Sequence, residues 1–282
     1  MLTQWGRTDR RGTESSPMKY TKTSKNISQA VREICLSLPE TNEVISHGAP
    51  DFRVAGKTFA TYMINHHGDG HLALWLRMPA GSQEYYIQTN PQYFYLPPYV
   101  GPKGWLGVDL DKGLSWLTIA ELVQTAYAEV APKLLTMDLA QPIQIDPPTE
   151  TIDPEEFDPF VAAKAQAHLS IIKDICLALP ETSPSSQFGS PCFRAGNKNF
   201  CTLYFRGKRL RLSVWAGAEN QDIASFDDRF HIPAYTGHNG WLDLDIHDVL
   251  IDDECKGLIQ ASYRHFALKR MLKALDAANG SS

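Results

Sequence analysis

The sequence predicts an α+β fold made of two tandem two-layer domains, each an antiparallel sheet flanked by an N-terminal and a C-terminal helix. Three observations lead to this prediction. The phrase CLSLPET at 35–41 returns as CLALPET at 176–182, and helical and strand-like patterns follow in the same order twice. A chain of 282 residues is also long enough for two cores.

The repeat extends well beyond the opening phrase. At an offset of 141 residues, Gly48, Pro50, Phe52, Arg53, Lys57 and Phe59 fall on Gly189, Pro191, Phe193, Arg194, Lys198 and Phe200. Downstream the offset falls to 136, where PPYVGPKGWLGVDL at 97–110 matches PAYTGHNGWLDLDI at 233–246. A repeat of this length suits a whole small domain, so the chain is interpreted as a tandem duplication.

Composition predicts the domain boundaries. We expect a disordered tail at 1–19, a first domain at 20–137, a linker at 138–165, a second domain at 166–276 and a tail at 277–282. The linker is rich in proline and carries one basic residue against seven acidic ones, whereas each domain is close to neutral. This composition is typical of an extended connection between domains.

The first elements of each copy are a helix and a hairpin. Apolar residues recur at helical spacing from Ile27 through Val31 and Ile34 to Leu38, and Pro39 ends the run. Two strand-like runs then surround Ala55 and Gly56, which copy two replaces with Gly196 and Asn197. A two-residue turn there predicts that Phe52 lies opposite Phe59 and Val54 opposite Lys57.

The later elements are two strands, a short helix and a long final helix. We expect a second hairpin to turn at HHGDGH in copy one and at RGK in copy two, followed by helical segments at SQEYYIQ and ENQDIAS. A Gly–Trp strand comes next. The final helix of copy one has one apolar stripe: Trp116, Ile119, Val123, Tyr127 and Val130.

The cysteines indicate reduced thiols in the cytoplasm. The five residues are Cys35, Cys176, Cys192, Cys201 and Cys255. The count is odd and no CxxC pair occurs, so we expect mostly buried thiols and neither a disulfide framework nor a zinc site. No apolar run reaches the length that spans a bilayer, so the sequence predicts no membrane partner.

The turn NHHGDGH at 65–71 is the most metal-like cluster. Imidazoles and a carboxylate from His66, His67, Asp69 and His71 could bind a transition metal. A polar turn whose glycines supply positive φ also explains the pattern, and copy two has RGKR in the same place. We therefore expect a turn, with no metal and no cofactor.

No catalytic constellation is recognisable, so the sequence predicts that the protein is not an enzyme. The chain has no G-x-S-x-G elbow, Walker loop or dinucleotide fingerprint. His47 lies near Arg53 and could act as a general base. Its counterpart in copy two is Phe188, which favours a space-filling role or a structural hydrogen bond.

Basic residues on the hairpins are candidates for nucleic-acid contact, because phosphate contacts supply most sequence-independent affinity. Alternation sends Leu210 and Leu212 to the core, so Arg209 and Arg211 share the outward face. A sheet edge protected by charge against aggregation is the alternative. The eight candidates are Arg53, Lys57, Arg194, Lys198, Arg206, Lys208, Arg209 and Arg211.

Two tryptophans are candidates for base stacking. Trp105 and Trp241 follow a glycine at matching positions of the two copies, near Tyr99 and Tyr235. Exposed aromatic rings can form platforms for bases. Packing in the core or at its rim is the alternative interpretation.

Taken together, these motifs resemble the MmcQ/YjbR family. They are the LPET phrase, the G-x-P-x-F-R and Lys-x-Phe segments, the late Gly–Trp strand and the Ser–Tyr pair in the final helix. The resemblance covers both copies. It implies a CyaY-like fold and, from the family's "double wing" description, DNA binding through hairpin wings.

The leading hypothesis is a non-enzymatic, cytoplasmic, two-domain binding protein with DNA or another nucleic acid as its partner. A protein-interaction or small-molecule-binding module that uses the cleft between the two domains is the alternative.

Overall fold

The computed structural model describes residues 26–224, 226–249 and 251–279. Each copy forms one six-stranded antiparallel sheet with helices against one face, which confirms the predicted α+β class. The predicted tail at 1–19 and residues 280–282 lie outside the described residues. Residues 277–279 of the predicted C-terminal tail belong to the last helix.

In copy one the strands are β1 (Thr41–Ser46), β2 (Ala49–Val54), β3 (Lys57–Ile64), β4 (Leu72–Arg77), β5 (Phe94–Tyr95) and β6 (Trp105–Asp109). The helices are α1 (Ile27–Leu36), α2 (Ser82–Thr89), α3 (Trp116–Val130) and α4 (Lys133–Thr136), and α5 (Pro154–Phe157) lies between the copies. Single 3-10 turns occur at His66–Gly68, Gly101–Lys103 and Pro159–Val161. The sheet order is β1-β2-β3-β4-β6-β5.

Copy two repeats this arrangement. Its helices are α6 (Ala163–Leu177), α7 (Ala218–Ala224), α8 (Asp253–Phe266) and α9 (Lys269–Asn279), with a 3-10 turn at Gly237–Asn239. Its strands are β7 (Thr182–Gln187), β8 (Ser190–Ala195), β9 (Lys198–Arg206), β10 (Arg209–Trp215), β11 (Phe230–His231) and β12 (Trp241–Asp245). The order β7-β8-β9-β10-β12-β11 corresponds strand for strand to copy one.

Polar caps and apolar stripes form the two long helices of copy one. The side chains of Asn26 and Ser115 accept hydrogen bonds from the first-turn backbones of α1 and α3. Leu38 and Val130, at the ends of the predicted stripes, are partly buried at the rim of the core. The other stripe residues are buried as predicted: Ile27, Val31, Ile34, Trp116, Ile119, Val123 and Tyr127.

The first hairpin turns where the sequence predicts. Val54 pairs with Lys57, but the expected pairing of Phe52 with Phe59 is wrong. A bulge shifts the register, so that Phe52 pairs with Ala60 and Phe59 is the extra residue. The bulge turns two consecutive side chains, Phe59 and Ala60, into the core, where both are fully buried.

Each sheet has an edge strand that the sequence patterns do not predict. The sequence of β7 is TSPSSQ, which has neither apolar alternation nor strong strand propensity. Both β1 and β7 form because six residue pairs join them to the next strand. Tertiary pairing therefore outweighs local propensity at these edges.

The repeated LPET phrase connects the first helix of each copy to the edge strand and contacts the long helix that packs on the sheet, α3 in copy one and α8 in copy two; we call this contact the joint. The hydroxyl of Tyr127 in α3 donates to the carbonyl of Pro39 at 3.0 Å, and that of Tyr263 in α8 donates to Pro180 at 2.8 Å. The glutamate after each proline has a left-handed φ, of 53° and 52°, which turns the chain from helix into strand.

The bulge residue of each sheet packs on the same joint. Phe59 meets Tyr127 edge to face with ring centroids 5.6 Å apart, and Phe200 meets Tyr263 in the same way at 5.5 Å. One tyrosine in each copy therefore connects the helix layer, the sheet and the LPET turn.

The segment between the copies packs on copy one. The backbone N–H of Ile27 donates to the carbonyl of Thr151 at 2.9 Å, and the hydroxyl of Ser28 donates to Glu156 at 2.8 Å. Helix α6 begins at Ala163, inside the predicted linker. The side chains of this segment that contact the copy-one core are Leu139, Ile143, Ile145, Ile152 and Phe157.

Removing either joint hydroxyl should destabilise the protein. We expect Tyr127→Phe and Tyr263→Phe each to lower the free energy of unfolding by about 0.5–1.5 kcal/mol, because each variant loses one hydrogen bond between the last long helix and the proline carbonyl. Tyr85→Phe is the control, since Tyr85 is 64% exposed, and should change it by less than about 0.5 kcal/mol. Urea unfolding measures the free energy of unfolding of all three variants. If Tyr127→Phe and Tyr263→Phe were as stable as Tyr85→Phe, the role of the joint would be contradicted.

Candidate functional site

The outer face of each sheet lies opposite the helices, and in copy one it carries an apolar cluster. Gly107 leaves room for the ring of Tyr95, because a Cβ at Gly107 would lie 2.5 Å from it. The indole N–H of Trp75 donates to the hydroxyl of Tyr95 at 2.8 Å. The cluster consists of Met63, Ala73, Trp75, Tyr95 and Trp105 with Ala49 and Val100 at its margin.

A histidine and a carboxylate close this cluster at one end. The Nδ1 atom of His71 lies 2.7 Å from a carboxylate oxygen of Asp109, and the imidazole stacks on Tyr95 with centroids 4.0 Å apart. Burial raises the pKa of Asp109, and the contact with His71 acts in the opposite direction without cancelling the shift.

The HHGDGH turn does not bring its four donors to one point. His71 contacts Asp109, whereas His66 packs edge-on against Trp75 with centroids 5.0 Å apart. Burial, and to a lesser degree the neighbouring His67, lowers the pKa of His66. In the ranges that the structure describes, no group of three or more His, Cys, Asp or Glu side chains is arranged to hold a metal ion.

The outer face of copy two is polar although its strands are the same. The registers of β4 with β6 and of β10 with β12 define three replacements: Arg211 for Ala73, Ser213 for Trp75 and Asp243 for Gly107. Because these positions face away from the helices, the change leaves the core residues of copy two in place. Leu210 and Leu212 are buried on the inner face as predicted.

The contact between His71 and Asp109 has a charged counterpart in copy two. The guanidinium of Arg209 bonds the carboxylate of Asp245, with an Nη2–Oδ1 distance of 3.2 Å, and also lies 3.3 Å from Asp248. Burial alone would raise the pKa of Asp245. Hydrogen bonds from Arg209 and from the backbone N–H of His247 outweigh burial, so that this pKa is lowered.

Two polar side chains on this face are incompletely satisfied. The hydroxyl of Tyr204 donates to Oδ2 of Asp243, and burial together with this bond raises the pKa of Tyr204. Asp243 is fully buried, and its Oδ1 has no hydrogen-bond partner among the described residues. The same is true of the buried Nε of Arg211.

The eight predicted basic residues do not form one surface. Strand β9 begins at Lys198 and ends at Arg206, nine residues in all. At the usual rise per residue, these two side chains lie roughly 26 Å apart. The tips of the first and second hairpins of copy two therefore occupy opposite ends of the sheet.

Neighbouring groups already bond several of these cations. Arg53 lies 2.9 Å from the carboxylate of Asp51, and Nε of Arg194 donates to Asn199 at 2.9 Å. Arg209 is bound to carboxylates, and Arg211 is half-buried on the outer face. Four are exposed and form no ion pair with another described residue: Lys57, Lys198, Arg206 and Lys208.

Both candidate stacking residues are half-buried. Trp105 packs against the apolar outer-face cluster of copy one. Trp241 stacks on Phe266 with ring centroids 5.6 Å apart and an angle of 30° between the planes. Base stacking on either ring stays a prediction.

The two copies touch at one hairpin turn of each. The rings of His67 and Phe188 have centroids 5.1 Å apart. The backbone of Gly189 approaches so closely that a Cβ there would lie 2.5 Å from the carbonyl carbon of His67. Phe188 is 65% exposed, and its ring contacts the turn of the other copy.

Other predicted residues lie away from these faces. His47, the counterpart of Phe188, is exposed, and its Nδ1 is 3.1 Å from the hydroxyl of Ser46. All five cysteines are buried and none forms a disulfide, as predicted. No helix in the described part of the chain has the length and apolar character needed to cross a membrane.

Family comparison accounts for the repeated architecture. The YjbR family model matches residues 36–129 and 177–265, which is more than half of the chain. The chain belongs to the YjbR family. Part of the chain is similar to protein DR2400 of Deinococcus radiodurans, a crystal structure with a DUF419 domain, at 21% identity and a TM-score of 0.36. That match covers 43% of this chain and 96% of DR2400, and no curated protein matches.

Sequence reasoning missed the polar outer face of the second YjbR domain. The alignment of the two copies contains this information at positions where the copies differ, whereas the sequence prediction used the positions where they agree. The missed residues are Tyr204, Ser213, Arg229, His231, Asp243 and Asp245.

The contact between the copies depends on a glycine. Gly189→Ala should lower stability by roughly 1–3 kcal/mol more than Gly48→Ala, because only Gly189 faces another backbone. Both glycines have positive φ, of 76° and 85°, so the control carries the same backbone strain. Thermal unfolding and the NMR signals of the His67 ring measure the effect; unchanged His67 signals in Gly189→Ala would contradict the contact.

Proposed function

We propose that this YjbR protein is a non-enzymatic binding protein that contacts nucleic acid through the tip of the β9–β10 hairpin. The observation that supports this proposal is the state of Arg206 and Lys208. Both are exposed beside Gly207, and neither forms an ion pair with another residue that the structure describes. A tight turn that presents two available cations suits contact with phosphate groups.

The charges behind the tip limit the strength of this contact. Arg209 follows the turn directly, but Asp245 and Asp248 bind its guanidinium. The domain as a whole is close to neutral, so no broad basic field adds to the affinity. We therefore expect weak, salt-dependent binding that is indifferent to sequence.

The remaining candidates support the proposal less. Lys57 and Lys198 are exposed, but each lies at the first hairpin turn of its own copy, away from the β9–β10 tip. Arg53 and Arg194 have polar partners within their own sheets.

Compartment and reaction class form part of the same proposal. Five buried cysteines without a disulfide suit the reducing conditions of the cytoplasm. The sequence contains none of the nucleophile or cofactor motifs that would indicate catalysis.

The alternative is a protein-interaction or small-molecule-binding module that uses the cleft between the domains. The contact between His67 and Phe188 supports a fixed junction there, and no side-chain chemistry at that junction specifies a ligand. A cavity that lies within copy two supports small-molecule binding more directly.

Removing the two tip cations should weaken nucleic-acid binding. For Arg206→Ala/Lys208→Ala we expect lower affinity for duplex and single-stranded DNA alike, and a log–log salt slope smaller by about one to two, because fewer counterions are released. Lys57→Ala/Lys198→Ala removes the same charge from exposed turns elsewhere and should retain most of the affinity.

Fluorescence anisotropy with labelled DNA, at low and near-physiological salt, measures both variants. No binding at low salt, or equal losses in the two double variants, would overturn the hairpin proposal.

A further inference from the structure

A cavity of about 380 Å³ opens on the outer face of copy two. It is independent of the hairpin tip, because neither Arg206 nor Lys208 lines it. Its volume lies at the lower end of the range for small-molecule sites. The lining residues are Arg209, Arg211, Asp228, Arg229, His231, Asp245 and Val249.

The three arginines of this cavity differ in how far their charge is compensated. Arg209 is bound to Asp245 and Asp248. Arg229 lies 2.7 Å from Asp227 and 3.1 Å from Glu254. These ion pairs hold the guanidinium groups of Arg209 and Arg229 in place at the sides of the cavity.

Arg211 differs from both, because it forms no ion pair with any residue that the structure describes and its buried Nε has no hydrogen-bond partner there. Its charge acts on Tyr204 and Asp245 only at a distance. Arg211 lines the cavity, and an anion bound there would compensate its charge through charge-assisted hydrogen bonds.

Copy one shows that the scaffold does not require this cavity. At the matching positions Ala73 replaces Arg211, and Tyr95 replaces His231. The ring of Tyr95 lies between His71 and Trp75 and occupies the outer face. The polar cavity is therefore a property of the second domain rather than of the fold.

The lining chemistry specifies a mixed ligand. A guanidinium favours a phosphate or a carboxylate, and binds it through charge-assisted hydrogen bonds. Asp228 and Asp245 would repel a bare anion but accept hydrogen bonds from hydroxyl groups. We propose that this cavity binds a small organic anion that carries a phosphate or carboxylate group together with hydroxyl groups, with Arg211 as the anion-binding residue.

The test is isothermal titration calorimetry on the full chain with four probes. Ribose 5-phosphate and L-malate carry an anion with hydroxyl groups and distinguish phosphate from carboxylate as the source. Ribose carries only the hydroxyl groups, and inorganic phosphate carries only the anion. We call these two the half-probes. We expect ribose 5-phosphate or L-malate to bind more tightly than either half-probe.

Arg211→Ala should weaken that binding roughly 10- to 100-fold, because one charged hydrogen-bonding group is lost. Arg264→Ala is the matched control, since it removes an exposed arginine of the same domain that pairs with Asp276 outside the cavity. It should bind as the unmodified chain does. Arg211→Gln, which keeps most of the side-chain length, gives a second measurement if Arg211→Ala fails to fold by circular dichroism.

Three outcomes would overturn the proposal: no binding of either mixed probe, binding that both Arg211 variants retain, or an equal loss in Arg264→Ala. If the unmodified chain binds a mixed probe but no DNA at low salt, the hairpin proposal fails and the cavity proposal stands. If the chain binds DNA through Arg206 and Lys208 but binds neither mixed probe, the cavity proposal alone fails.

Discussion

The hydrogen bond from a buried tyrosine to the proline carbonyl of the LPET phrase is the contact on which each domain depends. Tyr127 and Tyr263 make it at 3.0 and 2.8 Å. Each ring also packs against the bulge phenylalanine of its sheet. Because one side chain both bonds the turn and fills the core, a change in either the turn or the tyrosine removes the hydrogen bond that joins them. This physical coupling explains why the chain contains the same phrase twice.

The scaffold constrains the inner face of each sheet and leaves the outer face free to differ. In copy one, Trp75 and Tyr95 cover that face, and Gly107 provides the space. In copy two, arginine, serine and aspartate occupy the matching positions, and a cavity with charges of both signs results. The two domains therefore differ on this side: an apolar cluster covers the sheet of the first, and a polar cavity opens on the sheet of the second. The two domains contact each other at the turns that contain Gly189 and His67.

Periodicity and the repeat predicted much of the fold, because helical stripes, tight turns and duplication are local or comparative signals. They predicted the stripe from Trp116 to Tyr127 and the turn between Val54 and Lys57. They did not predict β7, since TSPSSQ forms a strand only when β8 is beside it. The bulge at Phe59 depends on packing against Tyr127 and has no local signature. For the candidate nucleic-acid site, the sequence predicted only a set of basic residues. Which cations are neutralised depends on carboxylates distant in sequence, as Asp245 is from Arg209.

Two domains with one scaffold and different outer faces should respond differently to the same anion. The most direct measurement is a two-dimensional amide NMR titration of the full chain with ribose 5-phosphate and, separately, with L-malate. The expected result is a set of shifts confined to β10, β11, β12 and the adjoining lining residues Asp228, Arg229 and Val249, with β4, β5 and β6 unchanged. Equal shifts in the two sets of strands, or no shifts in β10 to β12 with either probe, would contradict the proposal that the second domain binds the anion and the first does not.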